Sequence, residues 1–329
     1  MTGLKIEVFQ DSFSEKWDKF VLQESINGTF LQTRNFLNYH PKDRFIDNSL
    51  IVSKGTSIVA VIPACTVDEE KGKVLYSHPG STFGGIVLSK YFNDIKHVDA
   101  LIPELDRYLK ENNYRKVVLK NSSQLFSRDN TSLIDYFLFK NDYLSYDELS
   151  FYVDYKNYKE DILSNFSAGR RRDYKYSLKN NLVFRKLTTV KEIQRFYDII
   201  CENLKKFNSK PVHTLQELID FKENRLKDIA EFYGVFEEDT LIAGSMVFKF
   251  ENKVFHTQYL AALQSKLHLF PMNFLDTNLI MTAKEQGFTC FSFGISTENH
   301  GKVLNYRLAE FKEGFGTSYS INRTYYKNL

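Results

Sequence analysis

Cysteine is scarce: there are three in 329 residues. Cys65, Cys201 and Cys290 are odd in number, far apart and set in apolar runs. That excludes a disulfide framework and offers no Cys/His spacing for zinc, leaving buried thiols of a reducing compartment. No stretch rich in Gly, Pro or Ser separates the chain into parts, and no low-complexity tract appears. No apolar run approaches the roughly 20 residues of a membrane span. The opening MTGLKIEVFQDSF has neither the basic nor the apolar region of a signal peptide, so cytoplasm is the expected address. A net charge of +3 is too small to demand a nucleic-acid or membrane partner. The Gly-Lys-Ser/Thr ending of a phosphate-binding loop and a Ser/His/Asp constellation are both missing.

What is abundant is aromatic: 29 Phe and 20 Tyr, suited to a strand-rich core. The length is twice that of a usual domain, and one order of elements occurs twice. "LIVSKGTSIVAVIPACTV" (50–67) reads as strand, turn, strand. "HVDALIPELDRYLKENNY" (97–114) spaces Val98, Leu101, Ile102, Leu105 and Leu109 as one helical face, and "RKVVLKN" (115–121) is a short buried strand. In the second half, 231–263 reads as three strands. A helix over 272–288 turns Leu275, Leu279, Ile280 and Ala283 inward and stops at Gly287, and 289–295 is again a strand. Strand-like segments close each half, at 147–155 and 317–327. The expected fold is α/β, mixed α+β. Two domains, 1–155 and 156–329, each with a mostly antiparallel mixed sheet flanked by helices, would face each other across a ligand cleft.

Several segments carry a resemblance. "LAEFKEGFG" (308–316), preceded by "FSFGISTENHG" (291–301) and "NFLDTNLIMTAKEQGF", resembles the C-terminal signature of Fem-type (FemABX-like) proteins, tandem members of the GNAT acyltransferase superfamily. "HTQYLAA" (256–262), "SAGRRRDYKYSLKNN" (167–181), "NGTFLQTRNFLNYH" (27–40) and "SHPGSTFGG" (77–85) are similar to the same group. The resemblance implies tandem GNAT-like domains, the second carrying transfer of an acyl group to an amine. The donor would be an aminoacyl-tRNA or an acyl-CoA, and the acceptor a muramyl-peptide lipid or nucleotide-sugar precursor of the cell envelope, an amino sugar or a small amine. No metal is required. One departure stands out. The loop before the helix, "AALQSKLHLFPMNFLDT" (261–277), lacks the glycines that let backbone amides cradle a CoA pyrophosphate, and Leu267 and Phe270 are bulky there.

Acyl transfer needs an amine nucleophile, a proton acceptor and donors for the oxyanion. By the resemblance, Lys312 is placed against the reacting ester; the alternative is an exposed lysine at a strand start. Glu298, Asn299 and Asn305 form the polar exit of strand 291–295. They are a cleft rim with Glu298 as candidate base, or a turn. Strict alternation puts His256 and Gln258 on one strand face and Thr257 and Tyr259 on the other, so only one pair lines a cleft. His256 is a candidate base or a structural histidine. Gly169-Arg170-Arg171-Arg172 with Lys175 and Lys179 makes a basic stripe, for phosphates of tRNA or of a nucleotide-linked acceptor, or a solvated face. His78 sits in a glycine-rich turn. Thr214 and Glu217 read as a helix cap, leaving His213 open.

Overall fold

β-Branched and aromatic runs become strands and the two amphipathic stretches become the crossover helices. The computed structural model describes residues 3–41, 44–70, 72–206 and 208–329. Two compact units result: 1–148 with 299–302 and 320–329, and 149–298 with 303–319.

The first unit runs β1 (Leu4–Val8), α1 (Ser14–Lys19), α2 (Arg34–Leu37), β2 (Ile46–Asp47), β3 (Leu50–Lys54), β4 (Ser57–Ile62), β5 (Cys65–Glu69), β6 (Gly72–Tyr76), β7 (Val87–Leu88), α3 (Ile95–Glu111), β8 (Tyr114–Lys120), α4 (Ser132–Lys140) and the start of β9 (Leu144–Asp154). Strands β1-β3-β4-β7 form one antiparallel sheet; β2, β5 and β6 lead antiparallel into the parallel pair β6–β8. Helix α3 makes that crossover. Asp94 caps it by accepting from the His97 amide (3.1 Å), and its expected inward face, Val98, Leu101, Ile102, Leu105 and Leu109, is fully buried. Each such side chain gains about 1.5–3 kcal/mol from leaving water.

The second unit contains α5 (Ala168–Ser177), β10 (Val183–Lys186), α6 (Val190–Lys205), α7 (Leu215–Asp220), β11 (Ala230–Glu237), β12 (Thr240–Lys249), β13 (Val254–Ala262), α8 (Pro271–Glu285), β14 (Cys290–Ile295), the short hairpin β15 (Thr297–Glu298) and β16 (Val303–Leu304), and α9 (Tyr306–Glu313); β17 (Ser318–Asn328) begins here. Its sheet order is β10-β11-β12-β13-β14-β9, antiparallel except for β13–β14. Helix α8 is the crossover, with Leu275, Leu279, Ile280 and Ala283 buried and Gly287 beyond its end at φ +77°. The last strand returns to the first unit, where Thr324–Asn328 pairs with β8. The polar run that follows β14 is a turn: Asn299 and His300 adopt left-handed backbone, and a Cβ on Gly301 would lie 1.7 Å from the Asp147 carbonyl oxygen. Among the described residues no helix is long and apolar enough to cross a membrane.

Candidate active site at a strand fork

In the second unit β13 and β14 are paired only over Val254–His256 and Cys290–Ser292. Beyond that, β13 follows β12 to Ala262 and β14 follows β9 to Ile295, so the two part into a fork. Both arms carry a bulge near the parting: Gln258 is extra on β13 and Phe293 on β14, with Gly294 left-handed at φ +71°. Bulges increase local twist and re-aim side chains. The bulge at Gln258 overturns the strict alternation expected from the sequence. Phe248 lies opposite His256 and Met246 opposite Tyr259, so His256 and Tyr259 share a face.

Lys312 enters this fork, on a helix and not at a strand start, and only 4% exposed. Asn305 caps α9, its Oδ1 accepting from the Leu308 amide (3.2 Å). The Lys312 ammonium donates to the Gly294 carbonyl (3.1 Å) and the Ile295 carbonyl (2.6 Å), with the Phe151 ring 5.9 Å away. Its third N–H has no partner among the described residues. Burial brings its pKa down to about 7, against the opposing pull of Asp276. Asp276, on α8, is completely buried, and neither carboxylate oxygen accepts a hydrogen bond among the described residues. Burial pushes its pKa up to about 8, opposed by the charges of Lys312 and Arg170. Arg170 donates to Asn273 Oδ1 (2.6 Å), pairs with Asp173 (3.3 Å) and lies over Phe311 (4.7 Å). The hydroxyls of Ser150, cross-strand from Ile295, and of Ser296, next in sequence, are buried without partners. Buried polar groups without a partner are uncommon in folded chains, and Ser150 and Ser296 place two of them at the end of β14.

His256 contacts Ser292 Oγ through Nδ1 (3.1 Å), and burial with the nearby Lys312 charge holds it down at about 4. It is therefore held neutral at pH 7. Tyr259 is committed elsewhere, its hydroxyl meeting His213 Nδ1 at 2.8 Å, which also answers for the buried His213. Thr214 and Glu217 form the expected capping box.

The remaining sequence candidates fall outside the fork. Glu298 is exposed, 3.5 Å from Asn305 Nδ2, and Asn299 belongs to the turn grouped with the first unit. The expected basic stripe splits. Arg170 turns inward, Arg171 donates to the Phe166 carbonyl (2.5 Å), and Arg172 pairs with Asp173 (3.2 Å); Lys175 and Lys179 stay exposed. We expect Asn305→Ala to cost about 1 kcal/mol in a denaturant melt through the lost cap, and Glu298→Gln to leave stability unchanged.

His78 lies in the first unit, stacked on His40 (5.6 Å) and edge-on to Phe45 (5.2 Å); burial lowers it to about 4. Its loop closes the corresponding fork there. Ser77 N donates to Val118 O (2.8 Å), Lys120 N to Ser77 Oγ (2.6 Å) and Gly84 N to Lys120 O (2.9 Å), so the strand ends are bridged. A Cβ on Gly85, at φ +63°, would sit 2.7 Å from the Asn121 Cα, which is why glycine stands there. Among the described residues β13 and β14 are not rejoined in this way beyond Thr257 and Ser292, and Lys312 is buried beside the end of β14.

Sequence reasoning missed Asp276 and the inward turn of Arg170. Asp276 precedes Ile280 by four positions and Ala283 by seven, all on the buried face of α8. A carboxylate in that stripe was the available signal. No group of three or more His, Cys, Asp or Glu that could hold a metal ion occurs among the described residues.

No family model matches the chain, and no curated protein matches it in sequence. Solved structures match it in fold. FemX superposes with a TM-score of 0.70 at 12% identity, covering 99% of this chain and 97% of its own. A tandem GNAT protein from the clavulanic acid biosynthesis pathway gives 0.56 at 9%, covering 99% and 98%. L-PGS from Bacillus licheniformis gives 0.55 at 15%, covering 82% and 81%.

Proposed function

From a tandem GNAT fold of the Fem-like kind, we propose that this chain transfers an acyl group, most specifically an aminoacyl group, from an activated ester to an amine of a cell-envelope or surface-glycan precursor. The observation that carries the reading is Lys312: a buried ammonium at the open fork, fixed by two carbonyls, with one N–H left over. In the reaction the acceptor nitrogen attacks the carbonyl carbon, the C–N bond forms and an oxyanion develops. Lys312 donates its remaining N–H to that oxygen. The ester C–O bond then breaks, and the proton lost by the amine ends on the leaving oxygen, with neutral His256 as a candidate carrier. The ester supplies the driving force, so positioning does most of the work. No step needs a metal.

An aminoacyl ester is favoured over acyl-CoA by the start of α8. Phe270 takes left-handed backbone and stacks on Tyr176 (5.8 Å), and Pro271 removes one amide donor. The glycines that let a backbone approach a pyrophosphate closely are absent from the preceding loop. The exposed Lys175 and Lys179, with Lys179 over the Tyr176 ring (5.3 Å) and that ring stacked on Phe270, instead combine charge with stacking area, as single-stranded nucleic-acid ends require.

The deciding experiment offers the protein aminoacyl-tRNA and acetyl-CoA in parallel, with amino-sugar and peptide amines, and follows the amide product by mass. The reading expects product from the aminoacyl ester. Product from acetyl-CoA alone would make the chain an amino-sugar or small-amine N-acetyltransferase, and tight binding without turnover would make it a degenerate binding pair. Affinity for tRNA should fall by about tenfold or more between 50 and 200 mM salt, and Lys175→Glu/Lys179→Glu should flatten that dependence.

A further inference from the structure

We propose that the open edge of β1 is a docking strand for a second copy of this chain, which it meets antiparallel, strand to identical strand, about a two-fold axis at Ile6. The inference concerns the first unit alone and does not depend on the transfer reading.

β1, LKIEV, is the outermost strand of the sheet β1-β3-β4-β7. Its pairing with β3 sets Lys5 opposite Ser53 and Glu7 opposite Ile51, and two residues further on Phe9 donates its amide to the Ser49 carbonyl (2.7 Å). In an antiparallel ladder alternate residues turn both backbone groups toward the same neighbour. Lys5, Glu7 and Phe9 therefore serve β3, while Leu4, Ile6 and Val8 turn their N–H and C=O groups away from the sheet. Those groups meet no donor or acceptor among the described residues. Side chains do not cover the edge either: Lys5 and Glu7 are 69% and 51% exposed, and Val8 is 42% exposed. An edge with free backbone groups is a template for another strand.

Charge selects the occupant and the register. A lysine on an edge strand ordinarily repels a neighbour. Here it is matched by a glutamate two residues on, and the two already form an ion pair along the strand (2.6 Å). The free groups can bond only in registers that set Leu4, Ile6 and Val8 against one another. Centred on Lys5, such a register puts lysine opposite lysine; centred on Glu7, it puts glutamate opposite glutamate. Registers centred further out leave most of the strand unpaired. Centred on Ile6, Lys5 faces the second copy's Glu7 and, by symmetry, Glu7 faces the second copy's Lys5. Leu4 then meets Val8 and Ile6 meets Ile6, each pair exchanging both its bonds. The charged pairs fall at the non-hydrogen-bonded positions, where side chains come closest. Leu4 and Ile6 pack on the core from the other face of the strand, so the union carries that apolar surface across the axis.

The test is sedimentation velocity on the full chain, with any tag at its C-terminus, from about 1 to about 200 µM, since an edge this short makes a weak dimer. Wild type should pass from monomer to dimer across that range. Lys5→Glu and Glu7→Lys should each raise the dissociation constant about tenfold or more, because each sets like charges opposite at two symmetric positions. The double variant Lys5→Glu/Glu7→Lys should dimerise as wild type does. An equimolar mixture of the two single variants should form a heterodimer, every facing charge then being of opposite sign. Ile6→Pro should stay monomeric while remaining folded by circular dichroism, because the N–H it removes is one that β3 does not use. A wild type that is monomeric throughout overturns the proposal, as does a dimer that Lys5→Glu and Ile6→Pro leave intact. Single-variant losses that neither the double variant nor the mixture restores overturn it too, since the facing pairs are then not the ones named. If Ile6→Pro fails to fold, the charge variants and their mixture decide alone.

Discussion

Lys312→Met lowers kcat for aminoacyl transfer by about 10²–10³-fold, with the donor KM moving by less than about threefold. Methionine keeps the length and apolar stem of lysine, so the packing around Phe151 and Phe315 survives while the one free N–H at the fork is lost. A preorganised donor in a dry site acts on the developing oxyanion and hardly at all on the resting ester, hence a loss in kcat and not in binding. The same change removes one of the two positive charges that oppose the burial shift of Asp276, whose pKa already stands at about 8, so the carboxyl stays neutral and no charge is stranded. Folding should therefore tolerate the substitution, and steady-state kinetics beside a thermal melt separates the two effects.

Phe315→Ala is the largest stability effect near the site, about 3–5 kcal/mol in denaturant titration. The ring is fully buried and meets Phe166 (5.1 Å), Phe293 (5.4 Å) and Phe311 (5.3 Å). Its amide donates to the Lys312 carbonyl (3.0 Å), and its carbonyl accepts from the Tyr158 hydroxyl. Truncation leaves a cavity under the end of α9, so transfer should weaken along with stability, through the loosened seat of Lys312. A Phe315→Leu variant, with a smaller void, should fall between the two.

These residues also show how far the sequence could be read. Helices α3 and α8 announce themselves through apolar spacing, and the strands through Val, Ile and Phe runs, so the tandem layout was legible from periodicity. The fork was not. Bulges at Gln258 and Phe293 leave no mark on alternation, and one of them moved Tyr259 to the face of His256. Helix α9 has only eight residues and turns Ala309 and Lys312 inward, so its buried face reads as polar. A lysine there suggests exposure until the carbonyls of Gly294 and Ile295 come into view. The Ser-Thr-Glu-Asn-His-Gly run mattered for local reasons: two left-handed residues and a glycine shape the turn, and Asn305 starts the helix that delivers Lys312.

The most direct measurement uses an aminoacyl-ester analogue with an electrophile at the carbonyl position, reacted at pH 7.5 and mapped by peptide mass spectrometry. A lysine whose pKa is drawn down to about 7 and whose free N–H faces the donor should capture it. The account predicts one adduct, on Lys312 within 306–315, suppressed by aminoacyl-tRNA and lost in Lys312→Met. Adducts scattered over exposed lysines such as Lys302, with Lys312 unmodified, would contradict it.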